Sequence, residues 1–203
     1  TVEPQSVQAM VDARLMVHDE AVARSGKDLT PVVPVNTLAG MAPQSLGMIV
    51  AYAMEYENRR LQERYDFVPM FLTDEARLLE RAAAPGIFLF SNYIWNVDDH
   101  LRLSAAVKAA NPANITIHGG PSTPKYEADA LAFFAENTHV DIAVLGEGEL
   151  TFADLLDKLD PNNPADLTVL RDCPGLNFRG PAGMENTGER ERIADVNTIP
   201  SPL

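Results

Sequence analysis

The sequence predicts an α/β fold: a doubly wound, parallel, five-stranded sheet flanked by helices, of the Rossmann-like kind. Three observations predict it. Apolar, β-branched runs alternate with helical patterns between residues 32 and 159, as βαβ units do. Residues 87–90 and 142–145 are apolar at every position, as expected of strands buried on both faces. Three of these runs end in loops of unusual composition: Ser91-Asn92-Tyr93-Ile94-Trp95-Asn96, His118-Gly119-Gly120-Pro121 and Leu145-Gly146-Glu147-Gly148-Glu149. Three strand ends therefore bring three loops to one sheet edge, where open α/β sheets bind ligands.

Each element has its own reason. Residues 5–24 read as a helix because Val7, Met10, Val11, Leu15 and Val22 recur at roughly three and four positions, and Gly26 stops it. Residues 32–35 form a short strand interrupted by Pro34, and a loop with Gly40 and Pro43 follows. Residues 46–61 read as a helix whose tail (Glu55, Glu57, Arg59, Arg60, with Glu63 beyond) is a solvated face. Residues 67–72 form a second strand, at an edge because of Pro69. Residues 74–84 are helical with Thr73 as N-cap. Strands over 87–90, 115–117 and 142–145 then alternate with helices over 98–110, 126–136 and 151–159. Beyond residue 160 the pattern changes: an extra strand over 176–178, a polar hairpin or loop over 179–195, and a proline-containing linker over 197–203. The chain divides into an N-terminal helical extension (1–30), the sheet domain (31–160) and a C-terminal strand/loop appendage with linker (161–203). No internal repeat is visible.

Composition excludes several classes. The formal net charge is −13, so without a basic patch a nucleic-acid partner is not expected. An acidic surface of this kind fits a cytoplasmic protein. Cys173 is the only cysteine, which rules out a disulfide framework or a cysteine-held iron–sulfur cluster within this chain. No apolar run reaches membrane-spanning length, so no membrane partner is expected. Thr1 is not a natural start, and the sequence reads as a piece of something longer or as a chain that has lost its initiator.

The loops carry the chemistry. Gly119-Gly120 and Gly146/Gly148 permit positive φ and close approach of backbone to a ligand, or make tight strand-to-helix turns. No third glycine completes a dinucleotide fingerprint, and no Gly-Lys-Ser/Thr makes a P-loop. Glu147 and Glu149 are hydrogen-bond acceptors, an acid–base pair, or dipole-complementing residues at the start of the next helix, the last being the better reading for Glu149. Trp95, the only tryptophan, offers a flat face to a planar ligand or anchors its loop. Asn92, Asn96 and Tyr93 add amides and a second ring. His100 follows two aspartates at a helix start, His118 reads as structural, and His18 and His139 read as surface residues. Cys173 reads as inert. No metal ligand set or catalytic triad stands out.

Leu46-Gly47, Ser91, Gly119-Gly120-Pro121 and Gly146 to Glu149 together resemble the N-terminal cobalamin-binding domain of cobalamin-dependent radical SAM enzymes, over about residues 31–203. The closing Ile199-Pro200-Ser201-Pro202 resembles that family's connector into its radical SAM barrel. The wider group of cobalamin-binding domains carries an Asp-x-His-x-x-Gly loop after the first strand. Aligned on Gly47, its histidine falls on Gln44 and its aspartate on Ala42. Imidazole is a good cobalt donor and a primary amide a poor one. The resemblance therefore implies cobalamin bound base-off without a histidine ligand. It implies cofactor contacts from Gln44, Ser45, Ser91, Asn92, Tyr93, Ile94, Trp95, Asn96, Gly119, Gly120, Pro121, Gly146, Glu147, Gly148 and Glu149. The nucleotide tail would lie between sheet and helices, and Trp95 or Tyr93 would pack under the corrin.

What the resemblance implies for activity is methyl transfer to an unactivated centre. The cluster motif C-x-x-x-C-x-x-C is absent, so this chain would not be catalytic alone. The iron–sulfur cluster and S-adenosylmethionine would belong to a radical SAM domain following Leu203. The alternative is a flavodoxin-like nucleotide- or flavin-binding module without cobalt chemistry; the loop over 38–45, with one Gly and one Ser, argues against it. A third reading is an interaction scaffold whose glycine turns are purely architectural.

Overall fold

A computed structural model describes residues 4–37, 44–69, 71–72, 74–160, 163 and 166–200. Its elements in chain order are α1 (Pro4–Ser25), β1 (Thr30–Asn36), α2 (Gln44–Arg59), β2 (Tyr65–Phe67), β3 (Phe71–Leu72), α3 (Glu75–Ala82), β4 (Ile87–Ser91), α4 (Val97–Ala110), β5 (Ile115–Gly119), α5 (Glu127–Glu136), β6 (Ile142–Val144), α6 (Gly148–Lys158), β7 (Leu176–Gly180) and β8 (Gly183–Asn186).

The strands form one sheet in the order β2-β1-β4-β5-β6-β7-β8, with β3 also on β1. Pairing is parallel from β2 through β6 and antiparallel for β6–β7 and β7–β8. The doubly wound parallel sheet is thus present. It differs from the five strands expected in two ways. The strand predicted over 67–72 is two short strands that flank Pro69, a residue with no backbone donor for the ladder. At the other edge, the hairpin β7–β8 extends the sheet. Taking β2 and β3 together, the parallel part runs 2-1-3-4-5, one of the two common doubly wound orders.

Alternation along the strands divides the core between the two faces. Val32, Ile87, Leu89, Ile115, Ile117 and Ile142 pack against Leu46 and Ala53 of α2 and Phe152, Leu155 and Leu156 of α6. Their neighbours Val33, Val35, Phe88 and Phe90 point the other way, against Leu78 of α3 and Leu103 and Val107 of α4. Ala143 on the same side meets Phe134 of α5. Each fully buried side chain of this kind contributes about 2 kcal/mol. Leu15 places α1 on the second face as well. Asp12–Arg77 and Asp19–Arg81 ion pairs tie that helix to α3, and His18 pairs with Asp66.

Helix boundaries move in instructive ways. Asp74 caps α3 by accepting from the N–H groups of Ala76 and Arg77; the expected cap, Thr73, lies outside the described residues, as does Ala42. Helix α6 begins at Gly148 rather than at 151, so the Gly-Glu loop runs straight into it. The end of α2 unwinds where Glu57, Asn58 and Arg59 take positive φ, ahead of a short 3₁₀ turn over Arg60–Glu63. No helix among the described residues is long and apolar enough to cross a membrane.

Candidate functional site

A cleft of about 690 Å³ opens where the carboxyl ends of β4, β5 and β6 meet α2, α5 and α6. That is within the range of small-molecule and cofactor sites. Its inner walls are apolar core residues: Leu46 and Ile49 from α2, Leu89, Ile117 and Val144 from the strands, and Phe152 from α6. A side cavity of about 370 Å³ joins it past Lys125, Tyr126 and the Leu145–Glu147 turn, and reaches Arg190 and Arg192.

The three loops singled out in the sequence do meet here, but their residues play different parts. Ser45, Ser91, Tyr93, Gly119, Gly120, Pro121, Gly146, Glu147, Gly148 and Glu149 all line the cleft. Ser45 and Ser91 join hydroxyls at 3.0 Å, which fixes the start of α2 to the end of β4. Gly146 has φ +70° and open space where a side chain would stand, so its backbone is bare toward the cleft. Gly120 (φ +86°) serves a different purpose: a Cβ there would lie 2.6 Å from the Asn92 carbonyl oxygen. The glycine lets two loops close on one another, with the Asn92 N–H donating to the Gly119 carbonyl at 2.7 Å and the Ser122 N–H to that of Asn92 at 3.0 Å.

Gln44, Asn92, Ile94, Trp95 and Asn96 do not line the cleft. Gln44 opens α2 on the surface. Asn96 is buried and structural: its amide donates to the Ser91 carbonyl and its Oδ1 accepts the Tyr93 N–H. Ile94 and Trp95 project outward, 84% and 58% exposed. Trp95 stacks on Tyr93 with ring centroids 4.8 Å apart and 12° between planes. An aromatic shelf therefore runs from the cleft lining to the surface.

Asn92 is fully buried at the centre of a polar chain on the opposite face of the sheet. One assignment of protons satisfies every member. Thr37 Oγ1 donates to His100 Nε2, and His100 Nδ1 donates to Asn92 Oδ1. Asn92 Nδ2 donates to His118 Nδ1 and Thr123 Oγ1, and the Thr123 hydroxyl donates to the Gly119 carbonyl. His118 Nε2 donates to Ser104 Oγ, which donates to His139 Nδ1. His118 also stacks on Phe90, centroids 4.8 Å apart. Burial pushes His100 down to about 4 and His118 well below the usual imidazole range, and lowers His139 too. All three are neutral at pH 7. His18 and His139, read as surface residues from the sequence, are thus partnered and partly buried.

The acidic loop is also partly structural. Glu147 Oε2 accepts the Ile193 N–H at 3.1 Å and ties down the segment after β8. Glu149 stands in the first turn of α6, where a carboxylate complements the helix dipole. Cys173 is buried, its thiol pushed up to about 12 by burial. Among the described residues no group of three His, Cys, Asp or Glu side chains could hold a metal ion. Lys125, Tyr126, Asp129, Ile49 and Phe152 line the cleft without having been singled out in sequence. Only the place of Lys125-Tyr126 in the loop between the glycine turn and α5 could have signalled them.

No protein-family model matches the chain. It is 31% identical over 184 residues to the 2-(S-pantetheinyl)-carbapenam-3-carboxylate methyltransferase of Streptantibioticus cattleyicolor, a match covering 89% of this chain and 25% of that protein. It is 28% identical over 162 residues to the cobalamin-dependent radical SAM methyltransferase TokK of Streptomyces tokunonensis, covering 79% of this chain and 22% of the relative. The chain thus spans about a quarter of the length of the curated relatives it matches. Its fold matches 31% of the radical S-adenosylmethionine methyltransferase TsrM from Kitasatospora setae, solved with cobalamin and a 4Fe–4S cluster bound. The TM-score is 0.53, the identity 16%, and 85% of this chain is covered.

Proposed function

We propose that this chain, a homologue of a quarter-length segment of cobalamin-dependent radical SAM methyltransferases, is the part that holds cobalamin in a methyltransferase of that kind. The observation that carries the reading is the cleft between the strand ends and α2/α6, in a chain so related. Its chemistry fits the nucleotide tail of base-off cobalamin. The walls from Leu89, Ile117, Val144 and Phe152 suit an aromatic base, and the Ser45/Ser91 hydroxyls and the bare Gly146 backbone suit its polar link. The relatives do not favour the flavin or nucleotide alternative.

Cobalamin held there would supply a cobalt centre able to carry a methyl group to an acceptor presented by a second domain. The chain's own residues bind and orient it. Both ring nitrogens of His118, a histidine of the cleft lining, are engaged with Asn92 and Ser104, and in the sequence resemblance Gln44 falls where the wider group carries its ligating histidine. That supports a lower cobalt face without imidazole. The Tyr93–Trp95 shelf, half exposed beside the cleft, is the surface on which the corrin would rest, keeping water and strong donors from its lower face.

The test is a visible spectrum of the purified chain after incubation with hydroxocobalamin and desalting. A stoichiometric, retained base-off spectrum is the expected result, unchanged by Gln44→Ala. Trp95→Ala should shift that spectrum and weaken binding about fivefold, the worth of one aromatic stacking contact. No retained corrinoid would overturn the proposal. An unaltered spectrum and affinity in Trp95→Ala would overturn the role of the indole.

A further inference from the structure

We infer that Lys125 is the anion-binding residue of the cleft, taking the phosphodiester of the cofactor's nucleotide tail; the inference rests on the cobalamin reading above. Three observations converge on it. Lys125 is the only cationic side chain lining the cleft among the described residues, where Asp129, Glu147 and Glu149 also stand. Lys108 and Lys158 are committed to Asp141 and Asp154, whereas Lys125 makes no ion pair with a described residue. Its ammonium is held instead 5.0 Å from the centre of the Tyr126 ring, at the seam between the cleft and the side cavity.

Position gives the charge its purpose. A tail inserted base-first puts its aromatic end against Leu89, Ile117 and Phe152, deep between sheet and helices. The phosphodiester joins that base's ribose to the corrin side chain, so it must lie toward the mouth. Lys125 stands there, exposed, two residues after Thr123, whose hydroxyl Asn92 anchors. In a chain of net charge −13, a phosphate among three carboxylates would meet repulsion unless one cation were placed to offset it. A charge-assisted hydrogen bond from an ammonium to a phosphate oxygen is the strong kind.

The experiment compares two ligands on one protein. Wild type, Lys125→Ala and Lys125→Arg are each titrated with hydroxocobalamin and with aquacobinamide, a corrinoid that lacks the phosphate and nucleotide. Lys125→Ala is expected to weaken cobalamin about tenfold, with cobinamide affinity unchanged. Lys125→Arg restores cobalamin binding, and raised salt narrows the gap between wild type and Lys125→Ala. An equal loss for both corrinoids would make Lys125 a structural residue of its loop and overturn the inference, as would no loss for either. A wild-type chain that binds neither corrinoid would overturn the cobalamin reading itself, and this inference with it.

Discussion

The two faces of the sheet treat the same three strand ends in opposite ways. On the α2/α6 face, the chain leaves about 690 Å³ open above Leu89, Ile117 and Val144. On the α3/α4/α5 face, the same height is filled by Thr37, His100, Asn92, His118, Ser104 and His139, bonded end to end. A cleft needs walls that do not collapse into it. A buried polar chain with every donor and acceptor paired specifies a single arrangement of the loops, and loops so held can leave space on their other side. Asn92 links the two, since its side chain belongs to the sealed face and its backbone pins the Gly119-Gly120 turn that lines the open one.

The largest break in this contrast should come from Asn92→Ala. It removes the partner of His100, His118 and Thr123 at once in a fully buried place, and should cost about 4 kcal/mol. Urea denaturation measures it; a loss under 1 kcal/mol would show that the chain is not what holds the sealed face.

Acid attacks the same face. His100 is pushed down to about 4 in the folded chain, against about 6.5 when unfolded. The unfolded chain therefore binds the extra proton first. The folded state keeps its full stability above about pH 6.5 and loses it as pH falls toward 4, by about 2 kcal/mol at pH 5 from this residue. The drop in urea midpoint between pH 7 and pH 5 should be smaller in His100→Gln. Equal drops in both proteins would contradict the assignment.

Sharper is the comparison of two glycines. Gly120→Ala drives a methyl group into the Asn92 backbone at positive φ and should cost about 3 kcal/mol. Gly146→Ala meets open space and pays only for its φ of +70°, about 1 kcal/mol. The Gly146 variant should still lose corrinoid affinity, because its methyl enters the cleft. If both variants behave alike in stability, the two glycines do not divide their work between loop closure and ligand.

Strands β4 and β6 were readable because a run apolar at every position has few places to go but the middle of a parallel sheet, β5 because Ile115 and Ile117 precede a glycine turn, and the loops after all three were readable because composition changes abruptly there. The strand pair around Pro69 was misjudged as one, since a proline tells where the ladder breaks but not that both halves still reach β1. The cleft lining was half legible. Ser91, Tyr93, Gly119, Pro121 and Gly146, singled out at strand ends, line the cleft. Asn92 and Asn96, read from the sequence as ligand amides, stand off the cleft lining, the first bonded to His100, His118 and Thr123 and the second to its own loop, because an amide at a strand end looks the same in sequence whichever side it turns to.

By itself the sequence determined the parallel α/β architecture, the sheet edge at which the cleft opens and the presence of a single cysteine. All of these follow from local pattern: periodicity, glycine placement and residue counts. Only tertiary structure decided which face of that edge is open, that the His118 ring is committed to Asn92 and Ser104, that Glu147 ties down the segment after β8, and that Lys125 stands at the mouth. Those depend on which side of the sheet a residue turns to and on what packs there from distant parts of the chain, and local pattern does not encode contacts between residues 92 and 118 or between 147 and 193.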